Sequence, residues 1–422
     1  LGWVISEEKF FPKNNIVKYL KVRGSYGEVG NDQIGGDRFL YLPSSYGAAS
    51  DSGVNKYNFG LASNPYTSLM IVENKIGNPD LTWEKAKKMN VGVDINLFNN
   101  CLTASFDIFK EKRNNILANR STSPMIIGAN LPAYNFGEME NRGWEMDLNF
   151  RHHIQDFHYW ARFNYSFARN EIIYMDEVQK RYDYQMTTGR RKNQFFGLIF
   201  DGYYNSWEEI NALDRPKSSW SGNQLQPGDV KYVDVNQDGV IDDYDMVPIG
   251  YTPVPEIIYG FSFGAQYKGF DFSILFQGAD NVSIKYFGRS MWPFAKGEES
   301  AKSLIKERWT QERYEAGEKI TFPRLSLNPN GETDHNYRPS TLWIRDASYL
   351  RLKNLEVGYT FTGGFVKRLN LNSVRLYFNG SNLFTWTDVV DLDPEAPSRS
   401  GNVEINTYPL QKVYNIGLNI NF

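Results

Sequence analysis

From Val413 to Phe422 apolar and polar residues alternate without a break, with Tyr414, Ile416, Leu418, Ile420 and Phe422 on one side and Val413, Asn415, Gly417, Asn419 and Asn421 on the other. A period of two belongs to a strand, so one face meets something greasy and the other something wet. The same alternation recurs upstream. Leu20, Val22, Gly24 and Tyr26 share a face, as do Val91, Val93, Ile95 and Leu97. Trp144, Met146, Leu148 and Phe150 oppose Glu145, Asp147, Asn149 and Arg151, and that second face is too charged for a dry core. Phe261, Phe263, Ala265 and Tyr267 continue, across Lys268 and Gly269, into Phe270, Phe272, Ile274 and Phe276. Leu350, Leu352, Leu355, Val357 and Tyr359 carry one break at Lys353 and Asn354, the signature of a bulge. The aromatic residue on which the last strand stops is a pattern shared by outer-membrane barrels.

The connections separate a membrane barrel from a soluble sandwich. Taking the last strand as running inward and counting back gives spans at 411–422, 373–384, 349–361, 269–279, 257–267, 157–169, 142–152, 101–112, 84–97 and 17–28. The turns at one end, Phe98 to Asn100, Ile154 to Asp156, Lys268 and Thr362 to Asn372, are then all short. The connections at the other end, 29–83, 113–141, 170–256, 280–348 and 385–410, are all long. Short periplasmic turns and long outer loops are the barrel's asymmetry, and a sandwich has no reason for it. The expected fold is therefore all-β: a transmembrane antiparallel β-barrel to which this chain, residues 1–422, supplies about ten strands. The opening LGWVISEEKF reads as the tail of an earlier strand. The strand-like FFGLIFDGYY at 195–204 falls in an outer loop, as does 301–316, where Ala301, Leu304, Ile305 and Trp309 predict an amphipathic helix.

Composition agrees with a barrel and narrows the chemistry. The 27 Tyr, 28 Phe and 10 Trp suit aromatic girdles, and no apolar run approaches the roughly 18 residues of a helical span. A net charge of −3 offers no basic footprint for nucleic acid. Cys101 stands alone, and His152, His153, His158 and His335 show no zinc spacing. Pairs such as Asp391 and Asp393 or Glu298 and Glu299 read as acidic loop surface, and nothing marks a general acid or base, so no enzyme is expected. Trp220, Tyr286 and Trp292 could stack on sugar or pack the loops. His152 and His153 sit beside a tight turn, where a solvated imidazole is expected.

One motif carries chemistry of its own. DVNQDGVIDDYD places Asp234, Asn236, Asp238, the Val240 carbonyl, Asp242 and Asp245 at positions one, three, five, seven, nine and twelve of a calcium loop, with Gly239 at the sharp turn. Ile241 supplies an apolar anchor at position eight. Asp at position twelve, where Glu would ligate in two points, predicts a weak structural Ca2+ site with a dissociation constant of roughly 0.1–1 mM. The alternative is an acidic solvated turn.

Several stretches resemble SusC/RagA-like TonB-dependent outer-membrane transporters: LGWVISEE, NPDLTWEKAKKMNVGVDI, GEMENRGWEMDL, PGDVKYVDVNQDGVID, TLWIRDASYLRLKNLEVGYTF, NLFTWT, DPEAP and YPLQKVYNIGLNINF. The resemblance spans the whole chain and corresponds to the carboxy-terminal half of the family. It implies a barrel of about 22 strands in the cell outer membrane, with plug and amino-terminal strands outside this chain. It also implies energy from TonB acting through that missing part, a SusD-like surface lipoprotein as lid, contact with outer-membrane lipid, and import of an oligosaccharide or peptide without any bond being broken. A secreted calcium-stabilised β-sandwich that binds carbohydrate is the competing expectation, and a self-closed porin-like barrel a third.

Overall fold

The computed structural model describes all residues except 33–38, 43–46, 49–55, 62–65, 70, 73–75, 123–130, 221–224, 287–291, 295–302, 327–333, 391, 396–401 and 404–408. Eleven strands form one sheet: β1 (Gly2–Val4), β2 (Val17–Asn31), β3 (Glu84–Leu97), β4 (Leu102–Ala118), β5 (Tyr134–Ile154), β6 (Phe157–Tyr174), β7 (Ile257–Tyr267), β8 (Phe270–Asp280), β9 (Tyr349–Phe361), β10 (Ser373–Thr387) and β11 (Val413–Asn421). Each strand pairs antiparallel with the next in chain order, and among the described residues no pairing joins β1 to β11. All ten expected spans are strands, and the opening residues add the eleventh.

Registers carry the apolar face from strand to strand, because directly opposed residues share a face. Trp3 opposes Val22, Val22 opposes Val93, and the row continues through Phe106, Met146, Tyr165, Tyr259, Gly278 and Leu350 to Trp386. This face is not covered: Ile108 is 55% exposed, Leu376 47% and Ile416 81%. The sandwich expectation fails on that point, since a sandwich buries this face against a second sheet.

The inward turns are tight. Lys268 and Gly269 both have positive φ, 46° and 91°, which makes the β7–β8 hairpin a type I′ turn that matches strand twist. Phe98, Asn99, Asn100 and Gln155 are also left-handed, and Asn tolerates this better than most residues. The expected bulge lies at Lys353, which is skipped in both the β8–β9 and β9–β10 registers.

Two expectations need correction. Strands β4, β5 and β6 run several residues past their expected outer ends, because charge pairs such as Lys112–Glu138 at 2.9 Å continue the ladder where apolar alternation has stopped. The helix at 301–316 is not continuous: a 3-10 turn, Ser303–Glu307, is followed by a separate helix, Gln311–Glu315. Trp309 between them is drawn into the core, its backbone N–H donating to Phe322 O at 2.8 Å and its indole N–H to Asn205 Oδ1 at 3.2 Å, and extended Thr310 caps the second helix. Ala301 lies outside the described residues.

The compact core belongs to the outer loops. Leu198, Val230, Ile241, Tyr286, Phe322 and Trp343 are among the residues of one buried cluster, to which the segments after β6, β8 and β10 contribute. The 195–204 stretch stays in this cap: Phe196–Gly197 pairs with Val247–Pro248, and Phe200–Tyr203 with Val230–Tyr232.

Candidate functional site: the wet face and the loop cap

The face opposite the apolar one is built for water. On β2–β4, Arg23 reaches Asp94 at 3.2 Å and both carboxylate oxygens of Asp107, while Ser105 donates to Asp94 at 3.0 Å. On β8–β10, Arg375 bridges Asp271 and Glu356, the latter at 2.6 Å. Each cluster crosses a glycine. A Cβ on Gly92 would lie 2.6 Å from Asp107 Oδ1 and 2.7 Å from Arg23 Cζ, and one on Gly358 would lie 2.7 Å from both Arg375 Nη2 and Asp271 Oδ2. The missing side chain is what lets each guanidinium lie flat against the wall. Between the clusters, Trp160, Arg162, Asn164, Ser262, Ser273 and Asn354 line a cleft of about 400 Å³. The guanidinium of Arg162 stands 5.3 Å from the Trp160 ring, so the cleft offers an aromatic surface beside polar donors.

Above this wall the cap is tied down by buried charge. Arg351 is 2% exposed and pairs with Asp393 at 2.6 Å and Glu395 at 3.1 Å. Burial opposes ionisation of Asp393, but Arg351 and the N–H groups of Glu395 and Leu410 hold its carboxyl below the ordinary range. Asp393 is thus not the solvated acid expected of it; its partner Asp391, with Glu298 and Glu299, lies outside the described residues. Glu256, also buried, accepts from Arg169 in two points, at 2.9 and 2.8 Å, and from Arg191. His335 is a core histidine. Its Nε2–H donates to Val230 O at 2.7 Å, Nδ1 meets Ser218 at 3.1 Å, and burial pushes the imidazole down to its neutral form. His152 and His153 are exposed beside the β5–β6 turn, as expected.

The loop at 234–245 lies on the cap. Asp234 accepts from Gln237 N at 2.7 Å and Gly239 N at 2.8 Å; Asn236 and Asp238 bond each other, and Asp238 also accepts from Val240 N at 2.9 Å. Asp242 caps the 3-10 turn Asp243–Asp245. Asp245, wholly buried, accepts from Val235 and Asp242 N–H groups, and burial pushes its carboxyl up. Gly239 takes the left-handed turn at φ 83°, and Ile241 is 3% exposed in the core cluster, the anchor its position predicted. The carboxylates bond the loop's own N–H groups; among the described residues no three His, Cys, Asp or Glu side chains gather as a metal-ligating set. Among those residues none of Asp234, Asp238, Asp242 and Asp245 has an ion-pair partner either. Of the loop aromatics, Tyr286 is buried, Trp292 packs 6.0 Å from the Tyr337 ring, and Arg338 lies 4.0 Å over Trp220. They pack the cap.

A family model described as TonB dependent receptor-like, beta-barrel, matches residues 2–383. The chain belongs to that family. This TonB-dependent receptor barrel is 27% identical over 441 residues to TonB-dependent receptor P3 of Formosa agariphila, covering 100% of this chain and 41% of that protein. It is also 27% identical over 428 residues to TonB-dependent receptor SusC of Bacteroides thetaiotaomicron, covering 100% of this chain and 39% of that protein. The chain thus spans well under half the length of these relatives. In fold it matches the structure of the RagAB peptide importer in its 'open-open' state, with a TM-score of 0.71 at 23% identity, over 100% of this chain and 42% of that one. The receptor barrel is an outer-membrane protein similar to SusC and, in fold, to RagAB; the relatives named here are receptors and a peptide importer.

Sequence reading missed the residues that build the wet face and its ties. Arg23 and its partners Asp94 and Asp107 are 71 and 84 residues apart. Gly92 stands between Arg23 and Asp107 only through the register of three strands, so no local sequence signal marks the cluster.

Proposed function

We propose that the assembled receptor imports an oligosaccharide or peptide across the outer membrane, driven by TonB acting through a plug that this chain does not contain, under a SusD-like surface lipoprotein as lid. The observation that carries this reading is a continuous polar wall, with Trp160 and Arg162 in its cleft, beneath a folded outer cap. The relatives support it: one is SusC and another structure is a peptide importer. Further strands close the open sheet into a larger barrel. The test is extraction of the native protein in mild detergent, identification by mass spectrometry of every chain that stays with it, and growth on candidate glycans and peptides with TonB deleted. Co-purification of a lipoprotein and loss of growth without TonB are the expected results. Recovery of the chain alone, soluble after detergent removal, would sink the import reading.

We further propose that the loop at 234–245 takes a structural calcium ion, with Asp234, Asn236, Asp238, Asp242, Asp245 and the Val240 carbonyl as its oxygen donors. Support comes from the alternate-position oxygens and from the charge of Asp234, Asp238, Asp242 and Asp245, which no ion pair offsets among the described residues; Arg338 reaches only Asp243, at 3.7 Å. Binding would turn Asn236 and Asp238 from the loop's N–H groups toward the ion. Millimolar calcium is expected to slow proteolysis of the cap relative to chelator, and Asp234→Asn with Asp238→Asn to abolish the difference. Equal cleavage rates in calcium and chelator would remove the proposal.

A further inference from the structure

The apolar face ends abruptly at the outer side of β4–β6. Its last row there is Val91, Ile108, Trp144, Phe167 and Ile257, each opposite the next. Two residues further out on the same face, Lys110 opposes Arg142 and Arg142 opposes Arg169. Three cations in direct opposition are unfavourable in a sheet unless something neutralises them. The protein does this only in part. Glu140 pairs with Lys110 at 2.8 Å, Glu171 reaches no closer than 4.0 Å to Arg142, and Glu256 is shared between Arg169 and Arg191. Arg190 has no side-chain partner among the described residues, although it lines the same cleft, of about 370 Å³, with Arg142, Arg169, Glu171, Arg191 and Gln194. Lys110 and Arg142 are exposed, with 54% and 61% of their side-chain surface accessible.

We propose that this cleft binds the phosphate of an outer-leaflet lipid headgroup. Excess positive charge selects an anion, and guanidinium forks suit phosphate oxygens in two-point contact. The row lies about 7 Å beyond Trp144 and Phe167, two residues at strand rise, so an occupant can place its anion on the arginines while its acyl chains lie along the apolar face below. A small soluble anion would use only the first half of that arrangement. The inference rests on the outer-membrane placement of the barrel and not on the import reading.

The test uses the full-length receptor purified in detergent. Binding of diphosphoryl lipid A, of its dephosphorylated form and of inorganic phosphate is measured by native mass spectrometry, for the wild type and for Lys110→Gln/Arg142→Gln/Arg190→Gln. Heat-modifiable gel mobility shows that the variant barrel is folded, and Arg142→Lys, which keeps charge and loses the fork, should fall between wild type and triple variant. The expected result is selective retention of the phosphorylated lipid, weakened about tenfold in the triple variant. Equal retention of both lipids, or of the phosphorylated lipid by both proteins, overturns the proposal. Saturation by inorganic phosphate with no retained lipid overturns it as well, since the site would then serve a free anion. Substrate uptake by the triple variant should match wild type, so that failure of the lipid site is distinct from failure of import.

Discussion

Replacing Arg351 by methionine is expected to cost about 3–5 kcal/mol of cap stability, the range for removing one partner of a buried ion pair. The guanidinium is 2% exposed and neutralises Asp393 and Glu395 together, at 2.6 and 3.1 Å. Among the described residues, Asp393 then keeps its two backbone N–H donors, and Glu395 keeps Lys353 at 3.2 Å and the Tyr349 hydroxyl at 2.6 Å. Two carboxylates then share one cation in a dry site. The loss should be local: hydrogen exchange at residues 388–395 rises steeply while the sheet stays protected. Combining Arg351→Met with Asp393→Asn should recover part of it, because one buried charge is withdrawn with its partner. Unchanged exchange in the single variant would mean that the loop is held by its backbone contacts alone.

Phe263→Arg is expected to destabilise the folded barrel by about 2–4 kcal/mol, the cost of a lipid-facing cation at the bilayer midplane. Phe263 sits midway along β7 between Tyr259 and Tyr267 and opposes Ala161 on one side and Ile274 on the other. Asn96→Arg, on the wet face opposite Thr103, should stay within about 0.5 kcal/mol, as an ordinary solvated substitution does. Denaturant titration of the full-length receptor in lipid vesicles measures both. If Arg is tolerated equally at the two positions, the apolar face does not meet lipid.

The barrel wall was legible in the sequence because its physics is local. A period of two, a one-residue bulge at Lys353 and positive-φ turns at Lys268 and Gln155 are each set by neighbouring residues. The cap was not legible. Leu198, Tyr286 and Trp343 belong to one core but come from segments without periodicity, and Trp309 leaves a helical pattern because a distant segment, at Phe322, offers it a place. The same contrast divides the site. Ile241 and Gly239 behave as their positions in a calcium-type loop foretold, whereas Arg351 and Asp393 find each other across 42 residues. Long-range charge pairing leaves no periodic trace.

Because every strand from β1 to β11 is laced to its sequence neighbours, this wall behaves like a run of jointed staves with its two outer edges open. Prising two staves apart would strand a full column of amides and carbonyls in hydrocarbon, where nothing can take their place. The spacing and register of these eleven strands are therefore fixed. In the import proposed above, the moving parts would lie outside this wall, which contributes shape and not motion.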